Sequence, residues 1–207
     1  MTFKHKPLSY IEISKGNLVH NIKQFRRVID EKTKISAVIK SNAYGHGDIE
    51  VAKVLNSYVD YFQVNSVEEL ARVRAVTKKP ILVLGYISKS DFDTAMKLGC
   101  AMSVFDLHHA LLINTQAQKL GIKQKVHIAV DSLLGREGIM PTQAQKFVSE
   151  IKKMKYIKVD GVYSHFANIE DTINFSHAQK QIDTFKSVIE QFKNAGYKNI
   201  KNHISAT

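Results

Sequence analysis

The chain has no tryptophan, a single cysteine and only three prolines among its 207 residues. One cysteine cannot form an internal disulfide, and Cys100, at the head of an apolar run, reads as a small core residue in a reducing compartment. No apolar run approaches the ~20 residues that cross a bilayer. The opening residues, MTFKHKPLSYIEIS, also lack the apolar centre of a secretory signal, so a cytoplasmic location with no membrane partner is expected. Acidic residues are the minority class, 19 against 30 lysines and arginines, for a formal net charge of +11. Such a surplus raises nucleic acid as a partner, but no arginine-rich run or series of stacking aromatics accompanies it. The lysines fall along every presumed helix (Lys15, Lys23, Lys53, Lys97, Lys119, Lys146, Lys186), the pattern of solvated faces, and no nucleic-acid partner is expected. The histidines give no metal pattern, since His108 and His109 are adjacent and point apart on a helix. With no Pro- or Gly-rich linker, low-complexity segment or repeat, residues 1–207 read as one domain.

Short apolar runs recur with helical patterns between them: Ile35–Ile39, Tyr61–Val64, Ile81–Leu84, Ala101–Phe105, Val126–Val130, Gly161–Tyr163 and Lys201–Ser205. Alternation of this kind is the signature of an α/β fold with a parallel sheet. Leu18, Ile22, Phe25 and Ile29 recur at helical spacing, as do Ile182, Phe185, Ile189 and Phe192 before Gly196. Ser66-Val67-Glu68-Glu69 reads as a capping box opening a further helix. Seven strand–helix units in this order predict a (β/α)8 TIM-type barrel lacking its last strand.

Residues 37 to 47, AVIKSNAYGHG, place Lys40 at the end of an apolar strand, just before a tight turn containing glycine. A lysine there sits at the rim of a packed core, and a partly desolvated amine is a nucleophile able to form Schiff bases with carbonyl groups. Tyr44 offers a hydroxyl to a phosphate, while Gly45 and Gly47 let backbone approach a ligand closely. This segment resembles the pyridoxal-phosphate attachment motif of bacterial alanine racemases.

Two further segments carry the resemblance. Asp131 to Ile139 is similar to the family's aspartate-to-arginine loop ending in Gly-Arg-x-Gly-Ile, and Ser164-His165-Phe166-Ala167 to its Thr/Ser-His-Phe-Ala. The match implies that Arg136 contacts the cofactor's phenolic oxygen and the substrate carboxylate, and that His165 packs beside the pyridine ring. The last residues, His203 to Thr207, resemble His-x-Ala-Asn-Ser, which implies a phosphate-binding hydroxyl on Thr207. The chain departs from the pattern at Ala206, where the family has asparagine, at Ala129, where many members carry a carbamylated lysine, and at Leu133, which replaces a glycine.

The resemblance implies a pyridoxal 5'-phosphate-dependent isomerase that interconverts L- and D-alanine and supplies D-alanine for peptidoglycan. Lys40 would be its catalytic and cofactor-bearing residue. It covers about the first half of a family member; residues 9–13 would be a strand belonging with a C-terminal β domain outside these residues. That domain brings a tyrosine to the opposite face of the substrate, so a homodimer or a complementing C-terminal chain is the expected partner. The alternatives are a non-catalytic single-domain protein that binds the same cofactor for its homeostasis, and an inactive fragment.

Overall fold

A computed structural model describes residues 8–170 and 174–206. Its seven strands are β1 (Ser36–Val38), β2 (Tyr61–Val64), β3 (Ile81–Val83), β4 (Ala101–Val104), β5 (Gln124–Ala129), β6 (Ile157–His165) and β7 (Lys201–Ser205). All pair in parallel and in chain order, with β1 and β7 as the two edges. The helices are α1 (Lys15–Val28), α2 (Asp48–Leu55), α3 (Val67–Arg74), α4 (Phe92–Leu98), α5 (Leu107–Lys119), α6 (Ala144–Ile151) and α7 (Ser176–Asn194). The predicted TIM-type barrel is present as seven strands in a curled wall; an eighth that would join β7 to β1 is not among the described residues.

Local chemistry accounts for the helix starts. Ser14, Ser66 and Asp106 each accept a backbone N–H from the residue three positions on, at 3.2, 3.3 and 2.7 Å. Phe62, Leu70, Phe92, Met102, Ile113 and Phe192 are fully buried, and each contributes about 1.5–3 kcal/mol by leaving water. Cys100 lies in this core as expected, and burial pushes its thiol up to about 12, which keeps it protonated and inert.

Two expectations are revised. In α1 only Leu18 and Ile22 pack against the core, while Phe25 is 62% exposed, because the helix packs mainly on α2 at the sheet's edge and is covered on one side. The other is β6, which is much longer than Gly161–Tyr163: Lys158 and Asp160 interrupt the apolar pattern, and Asp160 the register, without ending the strand. Residues 9–13, whose expected partner is a domain outside these residues, pair with no described strand and leave Tyr10 and Ile11 exposed. No helix of the described residues is long and apolar enough to cross a membrane.

Candidate active site

A cavity of about 570 Å³ opens at the C-terminal ends of the strands. Every strand end feeds it: Lys40 just beyond β1, Asn65 after β2, Gly85 after β3, Phe105 after β4, Arg136 after β5, His165 closing β6 and Ser205 closing β7. Parallel barrels concentrate reactive groups at this face, since there each strand hands over to a loop.

Lys40 is half-buried, and the backbone that follows it is unusual. Ser41, Asn42, Ala43 and Tyr44 all have φ between 52 and 55°, a left-handed turn built without a glycine. L-residues resist this conformation by roughly 1–2 kcal/mol each. Hydrogen bonds hold it in place: Ala43 N–H donates to Ile39 O at 2.9 Å, Gly47 N–H to Asn42 O at 2.9 Å and Asp48 N–H to Asn42 Oδ1 at 3.1 Å. Gly45 at φ 91° and Gly47 at φ 88° release the chain into α2. Glu69 supplies the remaining support, accepting from Ser41 N–H at 2.7 Å and Asn65 N–H at 2.6 Å. The capping pattern at Ser66 is therefore half what it resembles: Ser66 caps Glu69, but the Glu69 carboxylate braces the turn after Lys40. Tyr44 stands at the cavity wall, 47% exposed.

The Arg136 loop is equally determined. The buried Asp131 carboxylate accepts from Leu134 N–H at 2.9 Å and from Gly135 N–H at 3.0 Å, and Ile139 bridges back to Val130. Gly138 has φ 117°, and a Cβ there would fall 2.8 Å from Asp131 N and 2.9 Å from the Ala129 carbonyl, so the second glycine of Gly-Arg-x-Gly-Ile is a steric requirement. Arg136 lines the cavity, but its fork is turned onto Glu137, through Nε and through Nη2 at 2.8 Å. The pair is largely exposed, so an incoming carboxylate displaces Glu137 at little cost.

Leu133, standing where the family has glycine, has φ 74° and is about half exposed. Leu133→Gly removes a left-handed penalty of roughly 1–2 kcal/mol against roughly 0.5–1 kcal/mol of added chain entropy. A rise in the urea midpoint is expected; a fall contradicts the strain at this position.

His165 also lines the cavity. Burial first, then the Arg136 and Lys40 charges, holds its imidazole below the ordinary histidine value, so it is a neutral ring in a positive environment. Tyr163 and His203 line the cavity too, stacked with centroids 5.2 Å apart. Their positions two residues before His165 and Ser205 are the period-two signal that could have found them. Thr207 lies outside the described residues. Its neighbour Ala206 is at the cavity.

The profile described as "Alanine racemase, N-terminal domain" matches residues 13–207. The chain belongs to the alanine racemase family. Alanine racemase 2 of Caldanaerobacter subterraneus subsp. tengcongensis is 31% identical over 198 residues, 94% of this chain and 51% of that protein. The alanine racemase of Clostridium difficile 630 superposes with a TM-score of 0.87 at 35% identity, over 92% of this chain and 50% of that one. The Bacillus anthracis racemase, solved with bound L-Ala-P, gives a TM-score of 0.80 at 31% identity, again over 92% of this chain and 50% of its own. The chain thus spans about half the length of the racemases it matches.

Proposed function

We propose that this chain is the cofactor-bearing half of an alanine racemase, holding pyridoxal 5'-phosphate through Lys40 and acting on alanine together with a C-terminal half. One observation carries the proposal: Lys40 and Tyr44 from one segment, Arg136 from a second and His165 from a third line a single cavity. The donor set fits the cofactor, with an amine for its aldehyde carbon and a guanidinium and a hydroxyl for its oxyanions. A cavity of about 570 Å³ also lies inside the range of roughly 300–1,000 Å³ that takes small ligands.

When bound, the cofactor supplies the electron sink that makes the α-hydrogen of an amino acid removable. The chain's own residues do the rest. The Lys40 amine would hold the cofactor and, as a free amine, would take and return a proton at one face of the α-carbon. The braced left-handed turn fixes where that amine stands. Arg136, leaving Glu137, takes the substrate carboxylate in its fork and orients the α-carbon toward Lys40. His165, with its imidazolium disfavoured, would line the cofactor's cavity without adding charge. The opposite face needs a second acid–base group, which the family takes from the C-terminal domain of a partner subunit; a homodimer or a complementing chain follows from this.

Arg136→Lys keeps the charge and loses the bidentate geometry. In a complex completed by the C-terminal half, alanine turnover is expected to fall on the order of 10²-fold, the cost of removing one orienting donor, with cofactor attachment retained. Unchanged turnover removes Arg136 from the site.

A further inference from the structure

The lumen beneath the candidate active site holds polar groups that the proposed chemistry leaves idle. A second cavity, of about 410 Å³, opens at the N-terminal ends of the strands and includes Tyr61, His127, Asp160 and Lys201. His127 spans the distance between the two cavities. Its Nδ1 lies 3.1 Å from Nε2 of His203, which lines the upper cavity, and its Nε2 lies 3.6 Å from Asp160 Oδ2. The second contact is longer than a hydrogen bond and within ion-pair reach. Lys201 Nζ holds the same oxygen at 2.7 Å and rests over the Tyr61 ring. Above, His203 stacks on Tyr163, whose hydroxyl donates to Ser103 at 3.0 Å.

Two independent backbone features make room for this line of groups. The β5–β6 register slips here, with Val126 opposite Val159 and His127 opposite Gly161, so Asp160 is the extra residue of a bulge. Bulges re-aim side chains, and this one sets the Asp160 carboxylate beside His127. Gly161 then leaves space for the imidazole: a Cβ there would fall 2.5 Å from His127 Nδ1 and 2.6 Å from Cε1.

Chemistry gives the line a direction. A carboxylate offers only lone pairs and negative charge, so even at 3.6 Å it favours the proton on the ring nitrogen that faces it, and a neutral imidazole has a single N–H. With the proton on His127 Nε2, Nδ1 is an acceptor, and the group it meets, His203 Nε2, must donate. His203 Nδ1 is then bare, and it has no protein partner among the described residues.

We infer that Asp160 and His127 act as positioning residues that hold His203, a residue lining the cavity where Lys40 and Arg136 gather, in its Nε2–H tautomer, so that its remaining nitrogen, Nδ1, is a hydrogen-bond acceptor. The ligand or protein group that meets His203 is therefore an N–H or O–H donor, such as an amine, a guanidinium or a hydroxyl. Oxyanions are left to Arg136 and Tyr44. Two charge effects agree with the direction. His127 and Lys201 hold the Asp160 carboxyl well below the usual range against the opposing effect of burial. Burial and then the neighbouring His127 push His203 down to about 3, keeping its ring neutral.

The test needs no cofactor and no activity. Two-bond 1H–15N correlation spectra of the 207-residue chain, labelled with 15N-histidine and assigned with His127→Gln and His203→Gln, read the tautomer of each ring at neutral pH. Both rings are expected as Nε2–H with bare Nδ1. A proton on Nδ1 of either ring, exchange between both tautomers, or a charged His127 overturns the inference. In Asp160→Ala the two rings are expected to become tautomer mixtures, with Asp160→Glu restoring the native pattern; unchanged tautomers in a folded Asp160→Ala also overturn it. Should Asp160→Ala fail to fold by circular dichroism, the spectrum of the unsubstituted chain decides alone.

Discussion

The 207 residues alone, supplied with pyridoxal 5'-phosphate, are expected to exchange the α-hydrogen of D-alanine with solvent while leaving its configuration intact. Exchange at one face needs one base, and Lys40 is placed to serve it. Inversion needs a second group on the opposite face. Among the described residues the nearest alternatives are poorly suited. Tyr163 is tied to Ser103, and burial raises its hydroxyl to about 12. Burial and the Arg136 and Lys40 charges lower the pKa of His165, which disfavours the imidazolium that would deliver a proton. In D2O, mass spectrometry with chiral chromatography is expected to find deuterated D-alanine and little L-alanine. Adding the C-terminal half of a family member should restore inversion by bringing the second group. Rapid racemisation by the chain alone contradicts this division of labour and directs mutagenesis to His165 and Tyr163.

The sheet was largely legible because its strands are buried on both faces and so read as short apolar runs. Tyr61–Val64 and Lys201–Ser205 agree residue for residue with the structure, and the other strands, β6 excepted, differ by a residue or two at their ends. The barrel lumen was not legible. Ser103, His127, Tyr163 and His203 come from four strands, and nothing local signals that they meet. In β6 that same polar lining masked a continuous nine-residue strand.

The site divides the same way. Short motifs located Lys40, Tyr44, Arg136 and His165, since each sits at a strand end with its own local pattern. Their supports depend on long-range contacts. The turn after Lys40 was read from Gly45 and Gly47, yet the four residues with positive φ just before them are not glycines, and Glu69, 28 positions beyond Ser41, sustains them. Glu137 shows the converse: its hold on Arg136 is local, but only the cavity gives the contact a meaning.

Lys40 carries the largest effect. Removing its amine leaves the oxyanion contacts but no covalent attachment, and no other lysine lines the cavity among the described residues. The most direct measurement is therefore borohydride reduction of the chain mixed with pyridoxal 5'-phosphate, followed by peptide mapping. One pyridoxyl group on Lys40 at stoichiometric cofactor, with no such adduct on any residue of Lys40→Ala, is the predicted result. Label spread over surface lysines, or equal capture by Lys40→Ala, would contradict the assignment of this cavity as the cofactor site.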